Sequence, residues 1–394
     1  MKIKFITTKR FSSSYGENKS YGQPLGYKSI VIISVTSDNF ITKSAELYSG
    51  IYIPEILPNM VDYYSNLLIG REYFLDKLDL SSHIPFISNS GIFSSIEGAI
   101  QNCILQILFK EKNLSIVDGL KSYFHLNLQR KEFDSLKYYL SGGSVAYNVE
   151  ETLKDANTAI LDNYDGFKMR CGLQEFKVDQ KRVFEVKSLL NKNFSDNKNK
   201  IELMIDFIQG TLRPCLDLKR CEDNINILKE GVLWFEEPLN PDKIYDYKKL
   251  RDRIGKDVPL AIGESFTTYS EYESFADLIQ FFQLDVTHGG SFLDLTNTID
   301  NLLTVSPNLR FTSHVWGSAL SVLLNLAFAR ATNCIEWFEI PMVEFEINKY
   351  LFPDLKMNEI RSLSNNDIDL LLNSINLSSL DKFNFISGSG YRIS

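Results

Sequence analysis

Six ionisable side chains each close a short apolar run: Asp206 after Leu203-Met204-Ile205, Glu236 after Trp234-Phe235, Glu264 after Ala261-Ile262-Gly263, Asp285 after Leu284, His314 after Ser313 and Glu336 after Ile335. They follow one another at intervals of 30, 28, 21, 29 and 22 residues. A strand with its crossover helix takes about 30 residues. The spacing therefore puts each group at the carboxyl end of a successive parallel strand, the face on which barrel enzymes build their sites. Three carboxylates gathered in a partly dry mouth repel one another and shift toward the neutral form unless a cation joins them. A donor set of oxygens alone suits magnesium or manganese better than zinc, and leaves positions open for substrate oxygens. Lys168, ending the run before Asp206, adds a positive charge beside them. Taken singly, each residue has an ordinary explanation. Glu236-Glu237-Pro238 is a solvated turn, His314 a packed imidazole, Asp285 a helix cap, and Lys168 with Arg170 a surface pair; the shared spacing is what argues for chemistry.

The elements that must carry these groups are legible in the apolar rhythm. Strand-like runs fall at Tyr138–Ser141, Gly166–Arg170, Ile201–Asp206, Val232–Glu236, Val258–Glu264, Ile279–Asp285, Leu309–His314 and Cys334–Trp337. Amphipathic stretches such as Val149–Leu161, Val178–Leu190, Leu218–Lys229, Tyr245–Ile254 and Ala319–Ala331 alternate with them. Eight strands with helical crossovers predict an α/β fold, a (β/α)8-type barrel. A doubly wound open sheet would call for a Gly-rich first turn, which the sequence lacks. Residues 1–130 mix strand and helix patterns and are expected to form an α+β domain. The barrel is assigned to 131–343, and the segment 344–394 is expected to return to the first domain.

The chain of 394 residues has 44% apolar and 23% charged residues, a formal charge of -8 and a pI near 5.3. That balance supports a large core, and without a basic stripe it argues against nucleic acid or an anionic membrane as partner. The five scattered cysteines form no C-x-x-C pair. With no apolar run of membrane-spanning length and too short an N-terminal one for a signal peptide, they lead us to expect reduced thiols, a cytoplasmic location and no membrane anchorage.

The ordered motifs Gly-Phe-Lys168-Met-Arg170-Cys-Gly, Leu-Met-Ile-Asp206, Trp-Phe-Glu236-Glu237-Pro238, Ala-Ile-Gly-Glu264, Leu-Asp285-Val-Thr-His-Gly-Gly290, Ser-His314 and Ile-Glu336-Trp resemble the mandelate racemase branch of the enolase superfamily. The resemblance spans nearly the whole barrel. It implies a (β/α)7β barrel with a capping domain built from the N-terminal segment and the C-terminal tail. It also implies that Asp206, Glu236 and Glu264 bind magnesium, that His314 and Asp285 form a base dyad, that Lys168 belongs to the basic group opposite, and that Glu336 meets the substrate carboxylate. Glu339 is a second candidate for that last role, and Glu237 is a neighbour of the metal rather than a ligand. The implied reaction removes the proton beside a carboxylate of a small-molecule substrate, giving an enediolate whose charge must be stabilised in advance.

Two positions depart from the family pattern. Arg170 stands where a second lysine commonly acts as a base, and arginine stays protonated at any accessible pH. A racemase needs a base on each face of the carbon, so this replacement favours a single-base reaction. The expectation is dehydration of an acid sugar, an aldonate or aldarate, to a 2-keto-3-deoxy acid. A racemase or epimerase, a cycloisomerase and a non-catalytic homologue are the alternatives. Ile208 replaces an asparagine common two residues after the metal aspartate. The segments Ser12–Tyr27 and Tyr48–Tyr52 are expected to cover the substrate, and such barrels commonly assemble as symmetric homo-oligomers.

Overall fold

A computed structural model describes residues 1–14, 27–84, 90–123, 135–195, 199–211 and 217–388. The chain opens with an antiparallel sheet in the order β1 (Ile3–Ser14), β2 (Tyr27–Ser37), β3 (Thr42–Leu47). β2 reads Tyr-Lys-Ser-Ile-Val-Ile-Ile-Ser-Val, a β-branched run that suits a central strand, and it is buried almost throughout. Helices Leu57–Leu68 and Ile92–Glu111 pack on this sheet. The second has the length and hydropathy to cross a membrane, yet 72% of its apolar window is buried inside the protein, so its apolarity serves the core.

Eight parallel strands then close a barrel: β4 (Lys137–Gly142), β5 (Gly166–Arg170), β6 (Glu202–Asp206), β7 (Val232–Glu236), β8 (Leu260–Ile262), β9 (Phe281–Leu284), β10 (Arg310–Ser313) and β11 (Ile335–Pro341). β11 returns to pair with β4, Trp337 opposite Lys137 and Pro341 opposite Ser141. All eight strands foreseen from the sequence are present, and the fold is the expected barrel with an added domain. The helices between strands begin where the chain supplies side-chain caps: Asn148 with Glu151, Thr268 with Glu271 and Ser291 with Asp294 each form a reciprocal pair. Tyr139, Met204, Trp234, Ala261, Phe281 and Trp337 form a separate buried cluster contributed by barrel strands.

The first domain sits on the loops at the carboxyl ends of the barrel strands. Asn102 donates to the Val286 carbonyl and accepts from the Phe292 amide, while Ser95 donates to the His288 carbonyl. The helix carrying them comes close because Gly98 has no side chain: a Cβ there would lie 2.4 Å from the Gly290 carbonyl carbon. At the other end of the chain, Phe11 on β1 bridges to Asn384, and the Ser12 hydroxyl accepts from the Ile386 amide. Most of the expected covering segment Ser12–Tyr27 lies outside the described residues.

Candidate active site

Strand register brings the charged ends together. Arg170 stands opposite Asp206, and Asp206 opposite Glu236, so three neighbouring strands end level. Glu264 follows β8 by two residues, and His314 follows β10 directly. A cavity of about 460 Å³ opens above them, with Lys168, Arg170, Asp206, Glu264 and His314 in its lining.

The imidazole is fixed from behind. His314 Nδ1 lies 3.0 Å from Asp285 Oδ2, and its Nε2 lies 3.5 Å from Glu264 Oε2. Asp285 is in turn held by the Thr287 amide and hydroxyl and by the Asn325 amide on its other oxygen. Burial alone would raise the Asp285 pKa, but the bond to His314 and these donors keep it below the ordinary carboxylate value. Burial opposes a charged imidazole as well. The Glu264 carboxylate and the bond to Asp285 outweigh it and lift the His314 pKa to about 9. Nδ1 is pinned by Asp285, and Nε2 stays protonated near neutral pH as long as the Glu264 carboxylate is charged; neutralising that carboxylate would remove the largest attraction and open Nε2 to act as a base.

Across from it, Lys168 is wedged among carboxylates: its Nζ is 2.8 Å from Glu236 Oε1, 2.9 Å from Glu339 Oε1 and 3.9 Å from Asp206 Oδ2. Burial disfavours its charge, yet Glu236 and Glu339 together hold its pKa well above the ordinary lysine value. Arg170 donates to the Gly142 carbonyl and to the Ser141 hydroxyl, each at 3.0 Å, and its Nε lies 3.4 Å from Asp206. Both cations are therefore fixed donors.

The eighth-strand carboxylate is Glu339, which corrects the expectation for Glu336. Arg310, at the amino end of β10, grips Glu336 through two contacts of 2.6 and 2.5 Å, at the opposite end of the barrel from the cavity. The strand runs on to Pro341 rather than stopping at Trp337, so its carboxyl end lies beyond Glu336. Glu339 meets Lys168 and accepts from the Val315 amide at 3.0 Å. Burial pushes its pKa up, but Lys168 and His314 overcome this and hold it down at about 2.

Among the described residues no three Asp, Glu, His or Cys side chains already stand as a metal cage. Glu236 is turned to Lys168 and Glu264 to His314. The donor chemistry nevertheless fits a hard divalent cation. Five buried or nearly buried carboxyl groups (Asp206, Glu236, Glu237, Glu264 and Glu339) face two fixed cations, Lys168 and Arg170. Burial, then the nearby Asp206 carboxylate, raises the Glu236 pKa to about 8. Glu237 is only 1% exposed, and neither of its oxygens has a hydrogen-bond partner. A surplus of buried oxygen donors of this kind is what a cation would relieve. Asp206, Glu236 and Glu264, at the ends of three adjacent strands, could hold it if Glu236 and Glu264 turned from Lys168 and His314.

The sequence singled out neither His288 nor Trp316, both of which line the cavity. His288 packs against Tyr48 with ring centroids 4.8 Å apart, and Tyr48 shares a 3.0 Å hydrogen bond with Tyr52. Ile208 lines the cavity too, at a positive φ of 48° that a β-branched residue rarely adopts, and its amide donates to Asp206 Oδ1 at 2.7 Å.

The family described as enolase C-terminal domain-like matches residues 151–359. D-galactarolactone cycloisomerase from Agrobacterium fabrum (strain C58) is 25% identical over 228 residues; the match covers 54% of this chain and 54% of that protein, so the chain aligns with about half of its relative's length. The 3,6-anhydro-D-galactonate cycloisomerase from Zobellia galactanivorans superposes with a TM-score of 0.73 at 17% identity, covering 97% of this chain and 99% of the other. A racemase from Streptomyces coelicolor A3(2) with bound magnesium superposes at 0.68 and 16% identity, covering 86% and 88%. With a family match across the barrel and a barrel whose strand-end carboxylates, buried lysine and histidine–aspartate pair meet at one cavity, the chain belongs to the enolase C-terminal domain-like family, within the enolase superfamily.

Proposed function

We propose that this protein is a magnesium-dependent acid-sugar dehydratase in which His314 is the one working base. The observation that carries the reading is the asymmetry across the cavity: a pinned imidazole on one side, and on the other an ammonium locked among Glu236, Glu339 and Asp206 beside a guanidinium. A racemase must protonate from both faces, and neither Lys168 nor Arg170 is free to give up a proton near neutral pH.

When bound by Asp206, Glu236 and Glu264, the cation would supply charge to stabilise a substrate carboxylate as it gains electron density. The chain's own residues do the rest. Arg170 and Lys168 add fixed positive charge at the same place. His314 Nε2 takes the proton from the α carbon, and Asp285 stabilises the imidazolium that results. The electron pair forms a double bond between the α and β carbons as the β carbon–oxygen bond breaks, and His314 returns its proton to the departing hydroxyl. The enol then becomes the 2-keto-3-deoxy acid.

The second reading is cycloisomerisation, in which the departing β oxygen belongs to a ring and stays attached to the product. The cavity wall formed by Tyr48, Tyr52, Ile53, Ile92 and Trp316 is apolar and aromatic, a surface that suits the face of a ring. The two cycloisomerases among the relatives support it as well.

The test is a keto-acid assay over open-chain and ring-closed sugar acids with magnesium, with His314→Asn as the blank. Keto-acid formation that His314→Asn abolishes supports the elimination, and the acids turned over separate the two readings. Exchange and inversion at the α carbon in deuterium oxide, with no keto acid formed, would replace both with an epimerase.

A further inference from the structure

The loop that follows the imidazole, Val315 to Ser318, is held by the other domain. Lys28 on β2 is 1% exposed; its ammonium donates to the Trp316 carbonyl at 2.8 Å and lies 4.3 Å from the centre of the Trp316 ring. Glu46 on β3, also 1% exposed, accepts the Ser318 amide through both oxygens, at 3.1 and 3.0 Å, and the Ser318 hydroxyl as well. Ser318 caps helix Ala319–Thr332. Between these two anchors the loop comes so near the sheet that a Cβ at Gly317 would lie 2.9 Å from Glu46 Oε1. On the barrel side, Glu339 takes the Val315 amide. Three ionisable side chains thus hold the backbone of one short loop, and two of them come from the capping sheet.

Burying a lysine and a glutamate is costly unless both are well partnered, and neutral side chains could hold a loop without that cost. What these side chains hold is a wall of the cavity. Trp316 lines it, and the Arg170 guanidinium lies 5.5 Å from its ring centre.

We propose that Lys28 and Glu46 are positioning residues that act through Trp316: the capping sheet sets where the tryptophan stands, and so how tightly the site grips the part of the substrate beyond its carboxylate. This rests on the reading of the cavity as the substrate site. It predicts that loosening either anchor weakens long acids more than short ones.

The chain has three tryptophans, and Trp234 and Trp337 are buried at 0% and 1% exposure, so a quencher in water reaches chiefly Trp316. Acrylamide quenching is measured on the full-length magnesium-supplemented protein as wild type, Lys28→Met and Lys28→Arg, with Trp316→Phe identifying the Trp316 share. Lys28→Met should raise the quenching constant about twofold as the loop loosens, and Lys28→Arg, which keeps a buried donor, should restore most of it. Binding of gluconate, read from the same emission, should weaken about tenfold in Lys28→Met, the scale of one lost charged hydrogen bond. Lactate, which has no carbon beyond the β position, should weaken by less than about twofold on the same reasoning. Unchanged quenching in a folded Lys28→Met protein overturns the proposal, and so does equal weakening of the two acids. If gluconate does not bind, the quenching constants alone decide. If Lys28→Met does not fold, Glu46→Gln takes its place under the same criteria. Quenching requires no turnover, so the expected pattern with no keto acid formed from any sugar acid would sink the functional reading and leave the positioning role standing.

Discussion

His314 lies between two carboxylates with different tasks. Asp285 behind it is saturated with donors and stays ionised; Glu264 in front is a candidate metal ligand. Replacing His314 by Asn should cost about 10²–10⁴-fold in keto-acid formation, the usual worth of a positioned base, while the magnesium-induced rise in melting temperature persists. A variant that keeps its turnover would remove His314 from the reaction. Glu46 offers a test of a different kind. Burial raises its pKa from 4.5 to about 7, so between those values the native protein holds a proton that the unfolded chain has released. The stability tied to this proton is fully present below about pH 4.5 and is lost as pH climbs through about 7. Glu46→Gln cannot undergo that loss, so the stability of wild type relative to the variant, from urea midpoints, should decline across this window. A flat difference would mean that Glu46 is not shifted.

At the scale of elements, one strand end decided which glutamate enters the site. The apolar run Cys334–Trp337 reads as a complete strand, and a strand ending there makes Glu336 its terminal acid. The actual β11 continues through Phe338, Glu339 and Ile340 to Pro341, where pairing with β4 finishes. Glu339→Gln should abolish turnover with little change in fold, because it removes a partner of Lys168. Glu336→Gln should leave turnover intact and lower the unfolding free energy by about 1–3 kcal/mol through the loss of its Arg310 contacts, as read by urea denaturation and the keto-acid assay together. The opposite pattern would return Glu336 to the site. The other strand ends were readable because a polar residue directly closes an apolar run. Lys28, Glu46, His288 and Trp316 were not, since their place depends on how a distant sheet docks on the barrel, and no local rhythm records that. The departure at Ile208 was visible as a residue type, whereas its left-handed backbone was not.

For the whole molecule, the decisive quantity is the excess of buried carboxyl groups at one end of the barrel. Magnesium should raise the melting temperature and EDTA should reverse it, with a stabilisation near 2.7 kcal/mol when free magnesium is about a hundredfold above its dissociation constant. Asp206→Asn should erase that response; a melting temperature indifferent to magnesium would favour a barrel that has lost its chemistry. The thiols give an independent check on packing. Cys103, Cys171, Cys221 and Cys334 are all buried, and burial pushes Cys103 up to about 12, so these four should react with a thiol reagent at pH 8 only once the chain is unfolded. Prompt native-state labelling of any of them would show that the core opens more readily than its packing implies.

The turn after β7 has a consequence for anyone seeking a hardier version of this protein. Glu237 adopts a φ of 38° with both oxygens unpartnered, so glycine at that position would relax the backbone and remove a misfit from the interior. Screens for heat resistance should therefore favour replacements there. Because Glu237 adds negative charge beside Glu264, Glu236 and Asp206, variants selected there for endurance alone should attract a divalent cation more weakly, an instance of robustness and competence pulling one residue in opposite directions.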